Sequence, residues 1–256
     1  MQIRLLRHAT CVVRLNNRRL LTDPMLSRAG AMDPVPDAAD GRRIPLVDLP
    51  LDDAGLRNLI QSLDALLVTH LHRDHFDPRA AEMLPRTLPV ICQLPDADRL
   101  AQMGYRTVLP VETEREWEGI RIVRTGGRHG TGDVGMRMGA VSGFALRVPG
   151  EASLYLAGDT VWCGEVEAAI VGLRPDVVVV NSGAAQFRSG GPITMTAEDV
   201  IRVCRTAQGA AVVAVHLGAL NHCPLTRADL GAALDEAGVL SSNVRIPANG
   251  ETLTFP

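Results

Sequence analysis

The apolar residues of this 256-residue chain fall into short runs between polar, glycine-marked or proline-marked breaks, and two periods alternate along it. Residues 3–7, 10–15 and 18–22 alternate or run apolar, and Asn16-Asn17 offers a tight turn between the last two, which predicts a β-hairpin start. Ala65–Val68 is wholly apolar and reads as a buried strand. Further strands are predicted over 90–92, 107–109, 120–125, 142–148, 152–157, 176–180 and 211–215, with 243–246 and 251–255 closing the set. The consecutive valines at 177–180 mark a strand buried on both faces. Helical spacing appears between the strands. Asp52–Leu63 puts Leu56, Leu59, Ile60 and Leu63 on one face, Pro78 opens a second helix, and Asp96–Met103 stops at Gly104. Three more helices are predicted over 165–171, from Thr196 to about Thr206, and over 226–237. Thr196-Ala197-Glu198-Asp199 and Thr226-Arg227-Ala228-Asp229 resemble capping boxes at the starts of the last two. Residues 25–50 and 182–193 show no period and read as long loops bordering a substrate pocket.

The candidate chemistry sits where predicted strands end. Directly after 65–68 comes Thr69-His70-Leu71-His72-Arg73-Asp74-His75. Packing does not explain so many imidazoles beside a carboxylate, whereas that donor set suits a borderline divalent ion. His70 and His72 share a face if the loop stays extended, so they can reach one point. Asp74 and His75 then turn towards another, an arrangement that suggests two neighbouring metals. Strand 120–125 leads into a glycine-rich loop around His129, which lacks the pattern of a dinucleotide site; its glycines would let the backbone crowd a metal. Asp159 follows strand 152–157, and His216 ends strand 211–215. Asp23, in the Thr22-Asp23-Pro24 turn, is placed to accept an N–H from a metal-binding histidine and fix its tautomer. His222 lies in the loop after His216, where it either donates a proton to a leaving group or stabilises the loop by a hydrogen bond; Trp162 and Cys163 are candidates to line the site or to pack the following helix, and Arg188 to hold an anionic substrate group or to lie on the solvated surface. His8 by itself could be a satisfied core residue.

Composition then removes alternatives. A net charge of −3 and a pI near 6.2 give no general attraction for nucleic acid, and 3% aromatic content leaves few platforms for stacking bases. No apolar run is long enough to span a bilayer, and the start lacks the apolar core of a secretory signal. Five scattered cysteines argue against a disulfide framework, so a cytoplasmic, reducing setting is the default expectation. No serine nucleophile elbow or P-loop competes for the chemistry.

The His-x-His-x-Asp-His block, with His129, Gly158-Asp159-Thr160 and His216 behind it, resembles the metallo-β-lactamase superfamily signature. The resemblance implies an α/β fold, an αββα sandwich of two mixed sheets with helices outside and metals at one edge, in a single domain over residues 1–256. It implies two divalent ions, zinc foremost with manganese or iron as alternatives. His70, His72 and His129 would bind the first, Asp74, His75 and His216 the second, and Asp159 would bridge them. Within the superfamily, His8-Ala9-Thr10 and Thr22-Asp23-Pro24 look like the branch of ascorbate-6-phosphate lactonase and N-acyl-phosphatidylethanolamine phospholipase D. Leu217 departs from it, because those relatives carry an aromatic residue after the last histidine. The expected activity is hydrolysis of a small ester, lactone or phosphodiester by a metal-activated water that Asp74 helps orient or deprotonate. A nucleic-acid-processing hydrolase, iron redox chemistry and a non-catalytic metal-binding module are the competing readings, and the oligomeric state is left open.

Overall fold

Strands that are apolar on both faces need cover on both, and the chain meets that need with two sheets packed face to face. The computed structural model describes residues 1–239 and 243–256. The first sheet holds β1 (Gln2–Arg7), β2 (Thr10–Leu15), β3 (Arg18–Thr22), β4 (Ala65–Val68), β5 (Val90–Gln93) and β6 (Val108–Val111) side by side. The second runs in chain order from β7 (Glu114–Trp117) through β8 (Ile120–Thr125), β9 (Gly143–Arg147), β10 (Leu154–Leu156), β11 (Val177–Asn181) and β12 (Ala211–Val215) to β13 (Val244–Arg245). A last strand, β14 (Thr252–Thr254), returns to the first sheet beside β1.

Alternation along each strand sorts the side chains between layers. Ala65 and Leu67 of β4 face Val177 and Val179 of β11 across a dry inter-sheet core that also takes Phe144, Leu156 and Val213. Leu66 and Val68 point the other way, against α1 (Asp53–Gln61), α2 (Pro78–Met83) and α3 (Ala97–Gln102). Helix α4 (Gly132–Met138) lies in the loops beside the second sheet. Val178 and Val180 of β11 pack against α5 (Gly164–Leu173), α6 (Ala197–Thr206) and α7 (Arg227–Glu236). Four layers result, αββα, as expected. All five cysteines are free, with Cys11, Cys92, Cys163 and Cys223 buried. Among the described residues no helix is long and apolar enough to cross a membrane.

Strand direction decides where the chemistry gathers. β2 is antiparallel to both β1 and β3, and β3 through β6 run parallel, so β1 points the same way as β3 and β4. In the second sheet β9 is antiparallel to β8 and β10, while β10 to β13 are parallel. β8 therefore points the same way as β10, β11 and β12.

Two elements lie outside the predicted set. Glu114–Trp117 forms β7, an edge strand in which exposed Glu114 and Glu116 alternate with half-buried Arg115 and Trp117, so no apolar run announces it. Gly132–Met138 forms α4 although two glycines stand in it against helix propensity. Buried Val134 holds it, in a cluster with Ile193, Ala185 and Met25. Helix ends otherwise follow their caps. Asp52 accepts from Gly55 N–H, Thr196 and Asp199 make the reciprocal capping box, and the Thr226 hydroxyl accepts from Asp229 N–H.

The 25–50 segment has almost no regular structure, yet it is held firmly. Arg7 is fully buried, and its guanidinium donates to the carbonyls of Met25 (2.7 Å), Ser27 (2.9 Å) and Val47 (2.8 Å). Burial pulls its pKa down to about 10, with Asp77 and Asp48 opposing, so the cation survives at neutral pH. From the other side the Asn221 amide donates to the carbonyls of Val35 and Asp40 and accepts from Val35 N–H. Replacing Arg7 by Met would strand three carbonyls in a dry setting, at a cost of about 3 kcal/mol. Arg7→Met is expected to lower the melting temperature by roughly 6–12 °C in a calorimetric scan, with protease nicking first appearing between residues 25 and 50. An unchanged melt would show that the guanidinium does not anchor the loop.

Candidate metal centre

Seven of the strands that point towards one edge of the sandwich hand over polar residues as they end. Immediately after β1 comes His8, after β3 Asp23, and after β4 the segment Thr69–Asp77. From the second sheet come His129 after β8, Asp159 after β10, Asn181 as the last residue of β11, and His216 after β12. His8, Asp23, His70, Asp74, His75, His129, Asp159, Asn181, His216 and His222 are all buried, while His72 is partly exposed.

The turns that achieve this use unusual backbone. Gly158 adopts φ +70° just before Asp159, and a Cβ there would lie 2.7 Å from the Ser142 carbonyl oxygen, so only glycine fits. His8 (φ +60°), Asp23 (φ +41°) and His216 (φ +70°) also take the left-handed region, which non-glycine residues occupy only when the surroundings hold them. The His216 N–H donates to the His8 carbonyl at 3.0 Å and locks two of these turns together.

Donor atoms converge in three overlapping groups. His70, His72 and His129 bring ring nitrogens within 4.8 Å of one another; so do His70 and His75 with an Asp159 oxygen, and His75 and His216 with His8 and an Asp74 oxygen. Asp159 stands between the ends of the cluster. Its Oδ2 lies 3.2 Å from His75 Nε2, 3.5 Å from His129 Nε2 and 4.0 Å from His70 Nε2, and its Oδ1 lies 3.3 Å from His216 Nε2. Asp74 Oδ2 is 3.6 Å from His75 Nε2 and 3.9 Å from His216 Nε2. All seven residues predicted to bind metal are thus brought to one place.

The far nitrogens of the rings are tied down. His75 Nδ1 lies 2.9 Å from Asp23 Oδ2, and the same carboxylate accepts from the Thr69 N–H (2.7 Å) and hydroxyl (2.8 Å). With its hydroxyl hydrogen given to Asp23, Thr69 Oγ1 is left to accept from His70 Nδ1 at 3.0 Å. His129 Nδ1 donates to the Ile193 carbonyl at 2.7 Å. Each bond puts the N–H on Nδ1 and leaves the Nε2 lone pair for the cluster. The histidine that Asp23 meets is His75. Asn181, which the sequence reading passed over, donates to Asp159 Oδ1 at 2.6 Å. It sits at a strand end like the others, and that position was its signal.

Charge in the cluster is unevenly shared. Burial works against a charge on His75, but Asp159, Asp23 and Asp74 outweigh it and hold the imidazole well above its ordinary pKa. Burial and the facing His75 keep His70 well below. Asp74 and Asp159 stay ionised because the histidines around them overcome the penalty of burial. His8 is pushed down to about 3 and His222 to about 4, burial being the main cause in both. His222 stacks near Phe187, with ring centroids 6.2 Å apart, and its Nδ1 has no protein partner.

Arg188 lies against the 25–50 loop. Its Nε donates to the Ala38 carbonyl and pins the 25–50 loop. Cys163 packs in the layer of α5 and α6, with partly buried Trp162 against it.

Residues 18–217 match the family described as "Beta-lactamase superfamily domain". The chain is 37% identical over 258 residues, covering 100% of both sequences, to the UPF0173 protein YddR of Bacillus subtilis (strain 168). Among solved structures it is similar to "a possible metal-dependent hydrolase" from Veillonella parvula DSM 2008, with a TM-score of 0.94, 31% identity and coverage of 100% of this chain and 99% of the other. The isothiocyanate hydrolase from Delia radicum gut bacteria superposes with a TM-score of 0.93 at 32% identity, again over 100% and 99% of the two chains. With two facing sheets, helices outside and a histidine-carboxylate cluster along one edge, the chain belongs to the β-lactamase superfamily and has the metallo-β-lactamase fold.

Proposed function

We propose that this protein is a dinuclear metal-dependent hydrolase that directs water at a small, uncharged electrophilic carbon, with isothiocyanates the first substrates to try and lactones or simple esters the next. The observation that carries the reading is the convergence of imidazole and carboxylate donors from both sheets. The residues fit cations on their own terms. His75 Nε2 and His216 Nε2 are buried without a hydrogen-bond partner, beside carboxylate oxygens. Orphaned buried nitrogens are costly, and a cation would satisfy them.

On this reading His70, His72 and His129 hold the first ion, Asp74, His75 and His216 the second, and Asp159 serves both. Imidazole with carboxylate favours zinc, with manganese and iron as the alternatives. Divalent ions bound there would lower the pKa of water towards about 7 and polarise the electrophile. The chain's own residues do the rest. Asp23, Thr69 and the Ile193 carbonyl hold the ring tautomers, and Asn181 fixes the rotation of Asp159. Ionised Asp74, which keeps a little solvent exposure, accepts a hydrogen from the incoming water and orients it. Neutral His222 offers an N–H to the group that leaves.

The surroundings favour an uncharged substrate. The chain has no lysine, and the arginines of the site-side loops are engaged: Arg28 with Asp53, Arg42 with Asp40, Arg43 with Asp33 and Arg128 with Glu165. Arg73 donates to the carbonyls of Asp33 and Pro34. Phe187, Met138, Val35 and Leu46 pack at the edge of an apolar cluster in the same loops. The isothiocyanate hydrolase among the similar structures agrees with this chemistry.

Three measurements test the reading. Metal analysis should find close to two transition-metal ions per chain, falling to one or fewer in His72→Ala and Asp159→Ala, and Asp23→Asn should weaken binding by about 10–100-fold; a wild-type content near zero after loading would sink it. Loading should also release protons. The carboxylates of Asp159, Asp23 and Asp74 hold His75 well above its ordinary pKa and so favour its protonated ring in the metal-free protein, and that ring must become neutral to bind. Titration at pH 7 in buffers of differing ionisation enthalpy should show about one proton leaving, and affinity should drop as the pH falls; proton-neutral binding would contradict the assignment of His75. Finally, the zinc-loaded or manganese-loaded enzyme should turn over an aryl isothiocyanate or a lactone at least 100-fold faster than a phosphodiester. The reverse order would reject the uncharged substrate.

A further inference from the structure

We propose that His8 is a ligand of the second ion, which makes that ion's own protein donors three imidazoles and one carboxylate, with Asp159 shared. The inference rests on the dinuclear reading above and adds a residue to it. Three observations support it, and the first is spacing. His8 Nε2 lies 3.2 Å from Asp74 Oδ2, beside the 3.6 Å and 3.9 Å separations of His75 and His216 from that same oxygen. Metal–ligand bonds of about 2.0–2.2 Å put neighbouring donors roughly 3–4 Å apart, and the donor atoms of His8, Asp74, His75 and His216 all lie within 4.8 Å of one another, so His8 is spaced as a donor of that set. The second is backbone. His8 ends β1 in a left-handed turn that glycine or asparagine would take more readily, and it is locked there by the His216 N–H. Its ring lies over that of His216, centroids 3.5 Å apart, although nothing in the apolar core calls for an imidazole there. The third is burial. His8, Asp74, His75 and His216 are all buried, whereas the other group contains the partly exposed His72.

The consequence is a division of labour. A site whose positions are filled by protein holds its ion firmly, and one that keeps an open position meets the substrate. With His8 bound, the second ion is enclosed, and the ion beside His72 is the one that faces the substrate.

The competing role for His8 is a plain hydrogen bond to Asp74, and His8→Gln separates the two. A glutamine amide can still donate to Asp74 but is a poor ligand for zinc. Metal-free wild type, His8→Gln and His8→Gly, the last suited to the left-handed turn, are titrated with zinc against a chromophoric chelator. Unfolding of the metal-free forms is followed in parallel. We expect two ions in the wild type and, in both variants, one retained ion and one weakened by at least 100-fold, with the metal-free melts alike. A smaller loss in His8→Gln overturns the proposal and leaves the dinuclear reading standing, whereas fewer than two ions in the wild type strikes the reading beneath it. Anomalous diffraction from the zinc-loaded wild type needs no variant. His8 Nε2 within about 2.2 Å of the second zinc is the expected result, and a separation above about 3 Å overturns it.

Discussion

Strand polarity is the constraint on which this molecule turns. Backbone direction within each sheet makes β1, β3, β4, β8, β10, β11 and β12 stop along one edge. A strand that stops there hands its next few residues to a space between two dry sheets, where a polar side chain must find a partner. The functional groups are therefore not scattered additions to a scaffold. They are what these strands carry at their ends, and the apolar runs behind them set their depth. Alternation in β4 and β11 fills both faces with Leu, Ala and Val, and each fully buried Leu or Val contributes on the order of 1.5–3 kcal/mol to holding the edge in place.

That stability is partly used up at the edge itself. Several titratable groups are packed together out of solvent, and four histidine nitrogens (His8 Nδ1, His75 Nε2, His216 Nε2 and His222 Nδ1) have no protein partner. The arrangement is tolerable because Asp23, Asp74 and Asp159 surround His75, and because outward hydrogen bonds fix the rings facing them. Strained turns at His8, Asp23 and His216 belong to the same exchange. The local cost is met by the core, and the return is a set of nitrogen and oxygen atoms aimed inward before any ligand arrives.

Much of this could be read from the residues. The buried strands, the histidine block and the isolated His129, Asp159 and His216 each ended an apolar run, so their convergence followed from topology once the layers were known. What resisted reading had physical reasons. β7 is an edge strand stitched by charge, with Arg121 on β8 paired to Glu114, and hydrophobic pattern does not see it. α4 contains glycines and owes its helix to Val134 and its loop neighbours. Arg7 looked like one more polar residue of a strand, because the carbonyls it serves come from a loop up to 40 residues away. His8 and Asn181 occupy the same strand-end positions as the recognised donors, but neither lies in the histidine block that draws the eye.

The basic and sulfur-bearing side chains give the protein a chemical temperament of its own. Histidine aside, its cationic side chains are all guanidinium groups, there being no lysine among its 256 residues. Burial pushes the thiols of Cys11 and Cys92 up to about 12 and that of Cys204 to about 11, and Cys223 is raised as well. Guanidinium stays protonated and a thiol is nucleophilic only as thiolate. A reactive carbon compound diffusing over this surface meets no side-chain amine and few thiolates to capture it. Such a protein can work in the presence of alkylating or acylating molecules without being steadily consumed by them.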